Sequence, residues 1–294
     1  MTVRPTLAII GGSGIYSMPE LASARELQVE TPYGPPSDVI VEAELSGVRV
    51  LFLPRHGRGH RLAPHAINYR ANLCALKLLG AKQVVSLSAV GSLREDIAPG
   101  HVVVVDQYID LTKRRVGTFF DEDVVAHVAF ADPVCRALSE ACGAAAELAG
   151  AHVHRGGTYV CIDGPQFSTR AESRLYKSWG ASVIGMTALP EAKLAREAEL
   201  PYATVAFSTD YDAWHETEDA VSVEVVLRVL RENAERARSI VRHLAARLPD
   251  PRQSPATTAL THAVLTPPEQ VGPEARERLG WLLGPTPAAA AANG

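Results

Sequence analysis

The sequence lacks the features that define several large classes of protein. Its four cysteines, Cys74, Cys135, Cys142 and Cys161, show no C-x-x-C spacing, so zinc ligation is disfavoured and buried free thiols are expected. The amino terminus has no charged segment followed by a long apolar one, and no apolar run reaches the length of a membrane span. Together these absences predict a protein of the reducing cytoplasm.

An excess of basic charge is also missing. The net charge is −4 and the isoelectric point is about 6.2, which argues against a nucleic-acid-binding protein. Basic residues cluster only locally, in Pro54–Arg61 and Thr112–Arg115, and such short clusters suit a small anion better than a polymer. With 47% hydrophobic and 21% charged residues, the composition is typical of a globular protein.

Short apolar runs that resemble strands recur along the chain. They are Leu7–Ile10, Val48–Leu53, Gln83–Ser88, His101–Asp106, Thr158–Ile162, Ser182–Gly185 and Ala203–Ser208. Helical patterns fall between them, at Ala66–Leu79, from Asp132-Pro133 onward, and at Arg170–Trp179, Pro190–Ala198 and Val221–Leu248. This alternation predicts a single-domain α/β fold with a mixed, mostly parallel twisted sheet flanked by helices on both faces.

The composition changes at Pro249. Eight of the 20 prolines fall in the last 46 residues, and the chain ends in an alanine-rich stretch. We therefore assign residues 1–248 to a catalytic domain and residues 249–294 to a Pro/Ala-rich appendage, partly disordered, with a short helix from Glu269 to Leu283.

Two glycine-containing loops follow predicted strands and suit the binding of an anion. Gly11–Gly14 offers backbone N–H groups and the hydroxyl of Ser13, although a plain tight turn is an equal alternative. Pro54–His60 places Arg55 and His56 at a strand end, where an arginine fork matches phosphate oxygens. The alternative for this loop is a solvated basic segment. A metal site from its histidines lacks a neighbouring acid, so no metal is expected.

Polar residues also end three other predicted strands. Ser88 ends one strand, Thr187 follows another, and the run Ala203–Ser208 leads into Asp210 and Asp212. Open α/β sheets bind ligands at the carboxyl ends of their strands. A carboxylate there accepts hydrogen bonds from an amino group or, when protonated, donates one to a ring nitrogen. The sequence has no G-x-S-x-G motif and no recognisable catalytic cysteine, so nothing in it indicates a covalent intermediate.

Seven motifs, in order, closely resemble the methylthioadenosine phosphorylase branch of the trimeric purine nucleoside phosphorylase family. They are I-I-G-G-S-G-I-Y, P-R-H-G-R-G-H, N-Y-R-A-N, S-A-V-G-S-L-R-E-D-I-A-P-G, G-P-Q-F-S-T-R-A-E-S, G-M-T-A-L-P-E-A-K-L-A-R-E and S-T-D-Y-D-A-W, and they span nearly all of residues 5–248. The tail beyond Pro249 is poorly matched.

The resemblance implies a role for each matching residue. The family's phosphate contacts fall on Ser13, Arg55, His56, Ser88, Ala89 and Thr187. Its base and ribose contacts fall on Phe167, Met186, Asp210 and Asp212, with Asp210 as the catalytic acid. Positions tied to the 5′ group and to substrate preference fall on Ser168, Val223, Val226 and Leu227, and His127 matches a residue that reaches into the neighbouring subunit's site. Gly185 stands where some relatives have Asn.

The implied activity is a pentosyl transfer: reversible phosphorolysis of 5′-methylthioadenosine to adenine and 5-methylthioribose 1-phosphate, in purine and methionine salvage. Inorganic phosphate is a co-substrate and no cofactor is expected. The implied assembly is a homotrimer or a dimer of trimers, without nucleic-acid or membrane partners. Alternatives are a broader nucleoside phosphorylase acting on adenosine, inosine or 5′-halo-5′-deoxyadenosine, a nucleosidase that uses water, and a non-catalytic nucleoside-binding protein.

Overall fold

The computed structural model describes residues 5–12, 24–216 and 223–284, without the side chains of residues 223–232. This part of the chain contains one sheet of eleven strands. They are β1 (Thr6–Gly11), β2 (Arg25–Leu27), β3 (Ile40–Leu45), β4 (Val48–Pro54), β5 (Gln83–Ser92), β6 (Val102–Val105), β7 (Gln107–Asp110), β8 (Val153–Arg155), β9 (Thr158–Cys161), β10 (Val183–Gly185) and β11 (Tyr202–Asp210). All seven predicted strands are present.

The sheet is mixed and mostly parallel, as predicted. Parallel pairs join β1 to β4 and β5, β5 to β11, β9 to β7 and β10, and β6 to β8. Antiparallel pairs join β2 to β3, β3 to β4, β5 to β10 and β6 to β11. Strand β5 pairs with three strands. Its pairing with β1 ends at Ser86, its pairing with β11 continues to Gly91, and β10 pairs with its last residues, Gly91 and Ser92.

Helices cover both faces of this sheet. The described helices are α1 (Tyr69–Leu78), α2 (Arg136–Leu148), α3 (Arg170–Ser178), α4 (Ala188–Glu197), α5 (Val223–Ala245) and α6 (Pro273–Leu283). Alternate residues of β1 enter two separate apolar cores: Ala8 and Ile10 pack with α1 and α4, whereas Leu7 and Ile9 pack with α2 and α5. This division explains why the central strands are apolar throughout instead of alternating.

The starts of α1 and α2 lie three or four residues later than the sequence predicts. Helix α2 begins at Arg136 with Cys135 as its N-cap, not at Asp132. The carbonyl of Asp132 accepts a hydrogen bond from the buried Arg196 side chain, which also donates to Ala129 O, so these carbonyls are used by tertiary contacts. Helix α1 begins at Tyr69, where the Asn68 side chain accepts from Ala71 N at 3.1 Å.

The described part of the predicted appendage, residues 249–284, packs on the rest of the chain. Ala275 and Leu279 of α6 are fully buried in the same core as α1, and Trp281 contacts the ring of Phe119. The helix prediction there is confirmed, with its start at Pro273. This segment therefore shares the core. The domain boundary at residue 248 stays a prediction, and residues 285–294, which include the predicted disordered end, lie outside the described residues.

All four cysteines are buried free thiols, as expected. Among the described residues, we find no helix with the length and apolar character that crossing a membrane requires.

Candidate active site

A cavity of about 740 Å³ opens where the pairing of β1 with β5 ends. Residues Leu87–Gly91 of β5 lie along it, past the last β1 partner, Ser86. The loops after β1, β4 and β10 and the end of β11 supply other parts of its wall. The cavity thus lies at the carboxyl ends of central parallel strands, the usual ligand position in sheets of this kind.

Arg55 holds the separating strands together from inside the protein. Its guanidinium, only 2% exposed, forms a bidentate pair with the fully buried Glu191 (Nε–Oε2 2.8 Å, Nη2–Oε1 3.0 Å). It also donates to Leu87 O at 3.2 Å and Ser86 Oγ at 2.6 Å. Burial opposes the charge, but Glu191 more than offsets this and raises the pKa of Arg55. The cation is therefore permanent and already neutralised.

The hydroxyl groups of Ser88 and Thr187 form the hydroxyl wall of the cavity, and the Tyr159 hydroxyl lies next to Ser88. Ser88 Oγ lies 3.3 Å from Thr187 Oγ1 and 3.2 Å from the hydroxyl of Tyr159. All three side chains are buried, and burial raises the pKa of Tyr159 to about 12, so it stays protonated. Hydroxyl groups that can rotate and donate in this way suit the oxygens of an anion.

His56 also lines the cavity, and it does so as a neutral imidazole. Its Nδ1 lies 2.8 Å from the carbonyl of Leu62, and since a carbonyl only accepts, Nδ1 carries the hydrogen. Burial, together with the nearby charge of Arg55, lowers the pKa of His56 to about 4. Near neutral pH, Nε2 is therefore a hydrogen-bond acceptor.

Two carboxyl groups lie at the end of β11. A register shift between Ser208 and Asp210 interrupts the pairing with β5 and redirects the end of the strand. Asp210 accepts from Thr209 Oγ1 at 2.6 Å and from the backbone N–H of Asp212 at 2.8 Å. Asp212 accepts from Ser173 Oγ. Burial raises the pKa of both carboxyls although these donors oppose the rise.

Two glycines are required by close contacts with these groups. A Cβ on Gly91 would lie 3.0 Å from Asp210 Oδ1 and 3.1 Å from Asp212 Cβ, so a side chain there would displace the acids. A Cβ on Gly185 would lie 2.0 Å from the Tyr159 hydroxyl. No larger residue, including the Asn of some relatives, fits at position 185 while Tyr159 keeps its place.

Another part of the cavity wall is apolar. Phe167 and Met186 both line it, and Phe167 is 46% exposed. Ser168 also lines it, and its buried hydroxyl has no hydrogen-bond partner within the described ranges. An aromatic ring, a thioether and one free hydroxyl suit a flat ligand with polar edges.

Arg115 fixes the backbone beneath this wall. Its side chain, 2% exposed, donates to the carbonyls of Met186 (2.7 Å), Leu189 (2.6 Å), Asp163 (2.8 Å) and Ile162 (3.3 Å). One buried guanidinium therefore joins the loop after β9 to the loop after β10, and both loops line the cavity.

Comparison with known proteins identifies the family. The family model for the phosphorylase superfamily matches residues 6–246. The chain belongs to this superfamily.

Individual phosphorylases are similar over almost the whole chain. An S-methyl-5′-thioadenosine phosphorylase from Geobacter sulfurreducens is 53% identical over 96% of this chain and 99% of the relative. One from Hyperthermus butylicus is 56% identical over 84% and 90%. The crystal structure of a methylthioadenosine phosphorylase from an Antarctic soil metagenomic library superposes with a TM-score of 0.89 at 49% identity, covering 95% and 99%. The Schistosoma mansoni enzyme in complex with adenine gives 0.84 at 36% identity, covering 88% and 99%.

The cavity of this phosphorylase brings together most residues that the sequence predicted for its site. Ten lie on its wall: Arg55, His56, Ser88, Ala89, Phe167, Ser168, Met186, Thr187, and the pair Asp210 and Asp212 at the end of β11. Ser13 and the side chains of Val223, Val226 and Leu227 lie outside the described residues. Their roles, like those of the residues on the wall, stay predictions.

His127 is exposed and is not part of the cavity wall. Its backbone N–H donates to Ala263 O at 2.8 Å, and Leu265 N donates to Val125 O at 2.8 Å. The segment after residue 249 therefore supports the loop that carries His127. Its predicted contact with a neighbouring subunit stays a prediction.

Sequence reasoning missed three residues that shape this site: Glu191, Tyr159 and Arg115. Glu191 lies in the motif G-M-T-A-L-P-E-A-K-L-A-R-E, and Arg115 in a noted basic cluster, but neither pattern shows the partner. The charge of Glu191 among apolar residues was the one indication in the sequence, because a carboxylate on a buried helix face requires a buried cation as its partner.

Proposed function

We propose that the chain catalyses the reversible phosphorolysis of 5′-methylthioadenosine to adenine and 5-methylthioribose 1-phosphate. One observation carries this proposal: hydroxyl donors and carboxyl groups of raised pKa line one cavity. The names of the similar phosphorylases support the choice of nucleoside.

Phosphate binds on the hydroxyl wall. Ser88 and Thr187 donate to its oxygens, and Arg55 orients the strands that hold them. Because Glu191 neutralises Arg55 and His56 is neutral, directed hydrogen bonds hold the phosphate, with little net positive charge. His56 Nε2 accepts the P–OH hydrogen of hydrogen phosphate, which leaves the other oxygens free to attack. The glycine-rich turn with Ser13 and the backbone of Ala89 complete the set.

The nucleoside lies between this wall and the acids. Phe167 stacks on the purine and Met186 lies under the ribose, while Val223, Val226 and Leu227 receive the 5′-methylthio group. A phosphate oxygen forms a bond to C1′ as the C1′–N9 bond breaks, and the bonding electron pair leaves with the purine. Protonated Asp210 donates its proton to N7, so adenine departs neutral, and the raised pKa of Asp210 supports this role.

The acids also select the base. A carboxylate at Asp210 or Asp212 accepts from the N6 amino group of adenine, whereas it repels the O6 acceptor of inosine or guanosine. The contact between Gly185 and Tyr159 leaves no room for an amide side chain that would favour a 6-oxopurine. A polar mismatch of this kind costs several orders of magnitude in kcat/KM.

The test is phosphate-dependent release of free base from methylthioadenosine, adenosine and inosine, by wild type and Asp210→Asn. We expect the order methylthioadenosine, adenosine, inosine for the wild type. The variant should lose turnover of the adenine nucleosides and gain relative activity on inosine. Faster cleavage of inosine by the wild type would refute the base selectivity, and unchanged kinetics in Asp210→Asn would remove Asp210 from the mechanism.

The biological setting that we propose is purine and methionine salvage in the cytoplasm. We also propose a homotrimer in which His127 reaches the neighbouring subunit's cavity. Its exposed position, supported by residues 263–265, is compatible with such a contact. Sedimentation analysis tests the assembly, and rescue of activity on mixing His127→Ala with Asp210→Asn subunits tests the shared site.

A further inference from the structure

Three histidines come together on the sheet outside the cavity wall. His152 and His154 are two positions apart at the start of β8, so their side chains share one face of the strand. The register that pairs Val102 with Val153 brings His101, just before β6, next to them. His101 and His154 are 53 positions apart in the chain, so the sequence alone shows only the H-V-H pair.

Their ring nitrogens are close to the spacing that a metal requires. One nitrogen from each ring lies within 4.8 Å of the other two, and His101 Nδ1 lies 3.0 Å from His154 Nε2. Two nitrogens bound tetrahedrally at the usual zinc–nitrogen length lie about 3.3 Å apart. The first pair is therefore at coordination distance, and an ion would replace the proton between these nitrogens.

The third ligand requires one rotation. The rings of His152 and His101 are stacked, with centroids 4.1 Å apart and planes 15° apart, so their in-plane lone pairs do not converge. His152 is exposed, and its ring can rotate out of the stack at small cost. The Ala98 N–H also donates to His101 Nδ1 at 3.2 Å, and an ion would displace this long hydrogen bond.

The charged groups around the three rings act in opposite directions, so the imidazole ligands decide which metal ion binds. The carboxylate of Asp96 attracts a cation at His101 and His154, but Asp96 is already paired with Arg94. The positive charges of Arg94 and Arg236 repel a cation bound at these histidines. Hard cations such as Mg²⁺ and Ca²⁺ need several oxygen ligands, which this cluster lacks. Imidazoles suit zinc, copper and nickel, with water at the open fourth position.

We propose that His101, His152 and His154 form a binding site for a divalent late first-row transition-metal ion. The site is separate from the cavity but is joined to the strand that carries the acids. His101 O accepts from Ser208 N at 3.0 Å, and Gly100 N donates to Ser208 O at 2.8 Å.

The test is calorimetric titration of the full, tag-free chain, treated with EDTA, with Zn²⁺ in phosphate-free buffer. We expect one Zn²⁺ ion per chain and no binding of Mg²⁺. His152→Ala and His154→Ala should each lose at least about tenfold in affinity for Zn²⁺, since replacing even a residue that only supports a metal ligand costs about tenfold. The matched control is His262→Ala, an exposed histidine outside the cluster. Melting curves in EDTA verify that each variant is folded.

Visible absorption of bound Co²⁺ provides an independent readout, since its ligand-field bands should disappear in His154→Ala and persist in His262→Ala. Failure of the wild type to bind Zn²⁺ would overturn the proposal. Equal affinity in His154→Ala and the wild type would also overturn it, because the ion would then be bound elsewhere.

Discussion

The hydrogen bond from Thr209 to Asp210 leads to a quantitative prediction about pH. Thr209 is 2% exposed, and its Oγ1 lies 2.6 Å from Asp210 Oδ2 and 3.1 Å from Val90 O. The single hydroxyl proton serves either acceptor. When Asp210 is ionised, Thr209 donates to it. When Asp210 is protonated, Thr209 can donate to Val90 O and leave the acid proton free for the purine.

Thr209→Val removes this donor while keeping the branched shape of the side chain. A hydrogen bond to a charged group contributes about 1.5–3 kcal/mol, and about 1.4 kcal/mol corresponds to one pKa unit. Asp210 is partly open to the cavity, so the lower end of the range applies. Because the lost donor favoured the carboxylate, the pKa of Asp210 rises by about one unit.

The assay is the pH profile of kcat/KM for methylthioadenosine, which reports groups of the free enzyme. An acid that must be protonated loses activity as pH rises through its pKa. The alkaline limb of Thr209→Val should therefore move to higher pH by about one unit, while Thr209→Ser, which keeps the hydroxyl, should match the wild type. An unmoved limb, or one that moves to lower pH, would refute the assignment of Asp210 as the acid.

Three further predictions concern buried charges. Burial raises the pKa of Asp210 above its unfolded value, so its stabilising contribution is present at low pH and is lost as pH rises through the folded-state pKa. Asp210→Asn should therefore increase the free energy of unfolding in urea more at pH 8 than at pH 4. An equal increase at both pH values would contradict this. Glu191→Gln leaves the charge of Arg55 without its counterion and should lower the free energy of unfolding by about 3 kcal/mol. The same variant should decrease KM for phosphate, because the site gains positive charge. An increased KM for phosphate would contradict this. Arg115→Met should raise KM for the nucleoside through the loop at Met186, whereas an equal rise in KM for phosphate would indicate general damage.

The sequence predicts the central strands well because their apolar runs are long and end in polar residues. The runs that lead to Arg55, Ser88 and Asp210 are all strands, and these residues do lie around one cavity. The short edge strands β2 and β8 were not predicted. They have three residues each and are partly exposed, so neither their length nor their pattern distinguishes them from loops.

Long-range partners account for most of what the sequence could not show. Arg55 and Glu191 are 136 positions apart, and no local pattern indicates that one neutralises the other. The packing of the segment after Pro249 could not be predicted for a related reason. Its proline and alanine content is typical of a mobile tail, but Ala275 and Leu279, four positions apart on α6, are buried in the main core.

The phosphate requirement of base release distinguishes phosphorolysis from hydrolysis in a single measurement. The purified chain is incubated with methylthioadenosine in phosphate-free buffer and again with phosphate, and adenine and sugar phosphate are quantified by absorbance and ³¹P NMR. We expect no adenine without phosphate and, with phosphate, one equivalent of a ribose 1-phosphate ester for each adenine released. Adenine release at the same rate in both buffers, with a free reducing sugar as product, would refute phosphorolysis and identify a hydrolase.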